Sequence, residues 1–292
     1  MSIEVNHLRV GYDDHIVIPD MNLVIPQGKM SMIIGSNGCG KSTLLKSIGR
    51  IIKPVSGEIT IDGKTMKKMA PKELARKMAI LPQSPVVPQR ITVKELVTFG
   101  RFPYQKPFAG LGKEDQEIIN WAMKETGVLE LKDREVDQLS GGQRQRVWIA
   151  MTLAQKTDIL ILDEPTTYLD MAHQLEVLSL LREINRKNHT TIIIVIHELN
   201  LAAKFADHLI GMNQGKLIFE GKPLDVVTKE NLYQLYRIDA DIRVSTNGAY
   251  PVCMDFEMAD IQVDNQVDDQ VDDPLVDDQL EDKRLAGCDE EE

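Results

Sequence analysis

The run Gly35-Ser36-Asn37-Gly38-Cys39-Gly40-Lys41-Ser42, with Thr43 after it, fits the pattern G-x-x-x-x-G-K-[ST]. Its surroundings suit a phosphate loop. Met30 to Ile34 is a short apolar run that reads as a buried strand. Ser42 to Ile51 reads as a helix, with Leu44, Leu45, Ile48 and Ile51 at helical spacing. A strand, a glycine-rich turn and a helix start in that order aim backbone N–H groups and the positive end of a helix dipole at one spot, which favours an anion. Gly35, Gly38 and Gly40 supply the backbone freedom that wrapping a phosphate demands. The pattern assigns Lys41 to the β- and γ-phosphates of a nucleotide and the Ser42 hydroxyl to Mg²⁺.

The rest of the chain alternates strand and helix patterns. Ile3 to Val5, Met21 to Ile25 and Gly57 to Gly63 read as strands around the loop, with a turn at Gly11 to Asp14. Pro71 to Lys77 reads as a short helix and Ala79 to Leu81 as a strand. Asp158 to Leu162, Thr190 to Ile196, His208 to Asn213 and Lys216 to Glu220 read as further strands. Helices are expected at His173 to Asn188, Leu199 to Ala206 and Thr228 to Tyr236, and residues 223 to 255 are otherwise less regular. This alternation predicts an α/β domain with a parallel sheet and a ligand at the carboxyl ends of its strands. Asp163, Glu164 and His197 each follow such an end, as the loop does, so all should share one site. Gln83, just past another strand, is placed to touch a metal or an attacking water. Tyr12, ahead of the loop, offers a flat face for an adenine ring. Cys39, beside a helix start, is expected to have a lowered pKa. Thiol reagents should then inhibit, and nucleotide should protect.

Charge separates the two ends of the chain. The net charge is −11, but residues 255 to 292 hold 16 of the 45 acidic and 2 of the 34 basic residues, a net of −14. The remainder is close to neutral at +3, which gives no support to polyanion binding. Val263-Asp264-Asn265-Gln266, Val267-Asp268-Asp269-Gln270 and Val271-Asp272-Asp273-Pro274 form a short tandem repeat. Such a tract has too little apolar surface to offset its ordering entropy, so 258 to 292 is expected to be a disordered acidic tail. Cys39, Cys253 and Cys288 are too few and scattered for a disulfide framework or a metal cluster, which fits a reduced compartment. No signal segment opens the sequence, and its longest aliphatic run, Ile192 to Ile196, is far short of the roughly 18 residues a membrane span requires.

Residues 89 to about 157 read as a helical insert. Helices are expected at Thr92 to Gly100, Lys113 to Thr126 and Gly142 to Ala154, with breaks at Arg101-Phe102-Pro103-Tyr104 and Pro107 to Gly112. Within it stands Leu139-Ser140-Gly141-Gly142-Gln143, which begins 20 residues before Ile159-Leu160-Ile161-Leu162-Asp163-Glu164. Taken alone, Ser140 is also a good helix N-cap. Together with the phosphate loop, this stretch resembles the signature motif of the ATP-binding cassette (ABC) family. The resemblance covers about residues 1 to 245.

That resemblance implies a P-loop NTPase of the ABC type: an α/β ATP-binding domain over 1–257, an N-terminal antiparallel β subdomain and the helical insert, with ATP and Mg²⁺ as cofactors. It implies that Tyr12 stacks on adenine and that Gly35 to Thr43 cradles the phosphates. Asp163 and Ser42 would hold Mg²⁺, with Gln83 sensing metal and water. Glu164 would be the general base and His197 would contact the γ-phosphate, the lesser alternative for that position being a histidine that caps the next helix. Ser140, Gly141, Gly142 and Gln143 would reach the nucleotide of a second copy, and Asp170 would be a dimer contact. Glu198 departs from the Asp that relatives often carry there. Glu164-Pro165-Thr166-Thr167-Tyr168-Leu169-Asp170-Met171-Ala172-His173-Gln174 and Gly100-Arg101-Phe102-Pro103-Tyr104 resemble the ATPase subunits of bacterial ferric-siderophore importers. Haem and cobalamin importers share the architecture. A homodimer would dock near Gln83 and the insert on a separate membrane permease, at the cytoplasmic face, fed by an external substrate-binding protein. A soluble ABC ATPase acting on nucleic acid or ribosomes is the distant alternative. Such relatives usually carry two cassettes or a long coiled coil.

Overall fold

The computed structural model describes residues 2–13, 15–85, 89–105 and 110–259. They belong to one compact unit, Met1–Ala259; the second unit, Asp260–Glu292, contains the acidic repeats and lies outside the described residues, as do Asp14, Pro88 and Pro107.

Two sheets make the body. Strands β1 (Ile3–Tyr12), β2 (His15–Ile18) and β3 (Leu23–Ile25) lead to β4 (Met30–Gly35) and helix α1 (Lys41–Ile48). Then come β5 (Ser56–Ile61), β6 (Lys64–Thr65), α2 (Pro71–Lys77) and β7 (Met78–Leu81). The first sheet is antiparallel, ordered β2-β1-β5-β6, with β3 also on β1. The helical stretch follows: α3 (Val93–Thr98), a 3-10 helix Phe99–Tyr104, α4 (Lys113–Glu125) and α5 (Gly141–Ala154). Strand β8 (Ile159–Asp163), α6 (Met171–Asn188), β9 (Thr191–Val195), α7 (Leu199–Phe205), β10 (His208–Asn213) and β11 (Lys216–Gly221) complete the second sheet. Its order is β11-β10-β4-β9-β8-β7, parallel except for the antiparallel edge strand β11.

The inner strands β4, β8 and β9 are buried at every position and mostly apolar, because both faces are covered. On β4, Met30, Met32 and Ile34 join the core formed with the helices, while Ile33 joins the core under the antiparallel sheet and α1. Ile192 and Ile194 divide from Ile193 and Val195 in the same way, and Leu160 and Leu162 from Ile159 and Ile161. One run of β-branched residues thus feeds two cores.

Some boundaries differ from the sequence reading. Helix α1 stops at Ile48 because Gly49 packs against Ile80 and Arg50 takes φ +57°, so Ile51 turns out into solvent instead of joining the core face. Residues 223 to 258 are more regular than expected. They form α8 (Pro223–Val226), α9 (Lys229–Tyr236) and an antiparallel hairpin of β12 (Ile238–Val244) and β13 (Pro251–Met258). Strand pairing therefore runs through Met258, the first residue assigned to the tail.

Within the helical stretch, Arg101 is buried. Its Nε donates to Asp115 Oδ1 at 2.8 Å, an Nη donates to the Ala154 carbonyl at 2.9 Å, and its guanidinium lies 4.0 Å from the Tyr104 ring centre. One side chain so ties α4, α5 and the Phe99–Tyr104 turn together. Breaking such a pair leaves Asp115 without its counter-ion, and Arg101→Ala should cost about 3 kcal/mol in urea unfolding. The Arg101 hydrogen bond, with help from the Gly112 N–H, holds the Asp115 carboxyl below its ordinary range. A carboxylate depressed in the fold stabilises fully above its unfolded pKa and loses that effect as pH falls through the folded value. The difference between wild type and Arg101→Ala should therefore shrink on acidification through the carboxylate range.

Candidate active site

The phosphate loop joins β4 to α1. Gly35 has φ +152°, and a Cβ there would sit 2.0 Å from the Met212 carbonyl oxygen on β10, so the chain can pass only as glycine. Gly40, at φ +104°, opens α1 while touching Val17 and Ile18 of β2. The antiparallel sheet thus lies against the loop. Tyr12 pairs with His15 at the end of the same β1–β2 hairpin, with its ring 46% exposed. Asn37 and Gly38 are exposed, whereas Thr43 is buried beneath the loop. The buried Lys41 ammonium donates to the Gly35 and Ser36 carbonyls, each at 2.9 Å, and is thereby held over the loop.

Parallel register brings the other groups to the same edge. Ile33 pairs with Val195, and Val195 with Asp163, so β4, β9 and β8 end at one level. Asp163 Oδ1 accepts the Ser42 hydroxyl at 3.0 Å. Burial pushes the Asp163 carboxyl up, the Ser42 hydrogen bond opposes this and the neighbouring Glu164 charge adds to it. Glu164 takes φ +52° as the chain leaves β8, and its N–H donates to the Val195 carbonyl at 3.1 Å. Its carboxylate gathers three side chains. His197 Nε2 lies 2.7 Å from Oε1, Thr167 Oγ1 donates to Oε2 at 3.1 Å, and the Gln83 amide donates to the same oxygen. His197 is therefore engaged with Glu164 and does not cap α7, whose N-cap is Glu198 without a side-chain bond. Glu198 instead accepts the Gln174 amide at 3.2 Å. Thr167 was not singled out from the sequence; its place three residues after Glu164, across a tight turn, is the signal that was available.

The stretch Ser140 to Gln143 is not part of this cluster. Ser140 caps α5, accepting the Gln143 N–H at 3.3 Å, and the Gln143 side chain returns to the Ser140 N–H at 3.3 Å, so both bonds of a capping box are present. Gly141 and Gly142 abut Leu169 and His173; a Cβ on Gly142 would lie 2.4 Å from the His173 ring. Asp170 caps α6 and also holds His173, through its N–H at 2.9 Å and Nδ1 at 2.8 Å. Ser140, Gly141 and Gln143 stay exposed, and so does Tyr168, at 94%.

Cys39 corrects a sequence expectation. It is 3% exposed, and burial pushes its thiol up, outweighing the lowering effect of Lys41. The side chain turns under the loop, with Sγ 3.9 Å from Lys41 Nζ, so the helix-start argument loses to desolvation. Iodoacetamide should accordingly modify Cys39 far more slowly in the folded protein than in urea, read by peptide mass spectrometry. Equal rates would show that the loop opens freely.

Comparison with known proteins matches this site to a family. The sequence profile of the ABC transporter family matches residues 18–167. The iron(3+)-hydroxamate import ATP-binding protein FhuC of Bacillus subtilis is 49% identical over 257 residues, 88% of this chain and 96% of that protein. The ferric enterobactin transport ATP-binding protein FepC of Escherichia coli is 46% identical over 229 residues, 78% of this chain and 84% of that protein. Among solved structures, the dimeric MJ0796, a bacterial ABC transporter cassette, superposes with a TM-score of 0.66 at 30% identity, covering 75% of this chain and 98% of that one. The chain belongs to the ABC transporter family, as one of its ATP-hydrolysing subunits.

Proposed function

We propose that this subunit powers the import of an iron–siderophore complex. The convergence of Gln83, Thr167 and His197 on Glu164, beside the Ser42–Asp163 pair, is the observation that carries the catalytic part. The substrate class rests on the relatives named above, ATP-binding proteins of iron(3+)-hydroxamate import and of ferric enterobactin transport.

The loop N–H groups and Lys41 bind the phosphates of ATP, and Tyr12 stacks on its base. Phosphoryl transfer demands charge neutralisation and an aligned nucleophile more than covalent chemistry. Glu164, aimed by its three donors, takes a proton from the attacking water as general base. Gln83 aligns that water, and His197 contacts the γ-phosphate. Ser42 and Asp163 present a hydroxyl and a carboxylate, hard oxygen donors of the kind that would hold Mg²⁺. When bound, Mg²⁺ neutralises charge on the phosphates. Two copies pair so that Ser140 to Gln143 of one, exposed except at Gly142, covers the nucleotide of the other, with Asp170 at the contact. The permease docks near Gln83 and the helical stretch, on the cytoplasmic side of the membrane, and receives its cargo from an external binding protein. Among the described residues no helix is long and apolar enough to cross a membrane. The working domain in this reading runs through Ala259, and the acidic repeats follow it in the sequence.

Glu164→Gln should retain ATP binding, accumulate as an ATP-bound dimer in size-exclusion chromatography, and lose at least about a hundredfold in turnover. Normal turnover would remove Glu164 from the role of base. A deletion strain should fail to grow on a ferric siderophore as sole iron source and still grow on haem; the opposite pattern would overturn the substrate class.

A further inference from the structure

The catalytic scheme gives no part to α9 and the β12–β13 hairpin. They lie beyond the residues matched by the family profile, which end at 167. Yet each reaches back to the nucleotide site through one side-chain amide. Asn213 is the last residue of β10. Its Oδ1 accepts the Ser36 hydroxyl at 3.3 Å, and its Nδ2 donates to the Gln234 carbonyl in α9 at 2.8 Å. The Ser36 carbonyl is one of the two that hold Lys41, so α9 is bonded to the phosphate loop through a single intervening residue.

The second attachment follows β9, two strands along the same sheet. Asn200 lies in the first turn of α7, three residues after His197. Its Nδ2 donates to the Cys253 carbonyl at 3.0 Å and its Oδ1 accepts the Cys253 N–H at 2.8 Å. A primary amide that meets both backbone groups of one residue imitates a strand partner. It clamps the start of α7 to β13. Helix α9 runs into β12 through Arg237 alone, at φ +60°, so both attachments belong to one continuous piece of chain.

We propose that α9 and the hairpin form a brace that positions the nucleotide site, with Asn213 setting the phosphate loop and Asn200 setting the His197 segment. This rests on the roles given above to Ser36, Lys41 and His197. Asn200 and Asn213 are positioning residues: each is bonded within the protein and acts through a neighbour assigned above to the nucleotide. A displacement of about 1 Å at such a neighbour is enough to cost rate, up to about a hundredfold.

The two attachments predict opposite kinetic signatures in the full-length subunit. Asn200→Ala should lower kcat about tenfold with KM for ATP changed less than about twofold, because the His197 contact acts on the transferring phosphate. Asn213→Ala should raise KM about fivefold with kcat nearly unchanged, because the phosphate loop binds ATP in ground and transition states alike. Asn200→Asp keeps the acceptor for the Cys253 N–H and should fall between Ala and wild type. In a His197→Ala background, Asn200→Ala should have no further effect on single-turnover rate, since its influence passes through the missing ring. Full additivity in that cycle, or equal kcat losses from both variants that track their melting temperatures, would overturn the brace. If His197→Ala and Glu164→Gln themselves left turnover intact, the site assignment would fail instead, and the two failures are distinguishable.

Discussion

The structure depends on the register of three parallel strands. Because Ile33 faces Val195 and Val195 faces Asp163, the chain leaves β4, β9 and β8 at one level. Whatever residue follows each strand is delivered to the same edge. A slip of one residue would exchange Ile193 and Ile194 between the two cores and turn Asp163 away from Ser42. The core therefore fixes the site. Ser42 reaches Asp163, and His197 reaches Glu164, only because hydrophobic packing has already set the strand ends.

This explains what the sequence made legible. The loop pattern, the apolar run ending in Asp163-Glu164 and the β-branched run before His197 all carry their positional meaning locally, so their convergence could be reasoned from strand polarity alone. Cys39 could not be read that way. A helix N-terminus lowers a thiol pKa by a local field, but whether the sulfur faces solvent depends on β10 and α9 packing against the loop from far along the chain. Burial decided the sign.

The hairpin was harder to see for a similar reason. Its inner positions, Ala240, Cys253 and Pro251, are buried, while Val244, Met254, Phe256 and Met258 are exposed, so the polar–apolar alternation of a half-buried strand is blurred. A bulge between Asp241 and Ile242 shifts the register midway. Polar attachments leave even less trace. Thr167, Asn200 and Asn213 are ordinary loop and terminus residues by composition, and only tertiary distance gives them partners.

The arrangement of caps leads to a last consequence. In one copy, Ser140 and Gln143 satisfy each other's N–H groups, and Asp170 satisfies the start of α6. Each helix start thus has its third amide satisfied within the chain, and Gly142 packs against His173 between them. A face that is already hydrogen-bonded internally can be presented to a second molecule without local refolding, so little ordering entropy opposes docking. The phosphate loop is likewise held ready, with Lys41 retained by Gly35 and Ser36. In the proposed dimer, each half of the composite site is therefore built within one chain. What pairing would add is proximity, and the cost of switching would fall on the movement of preformed parts, which is the condition for a two-state dimer driven by a ligand that binds between them.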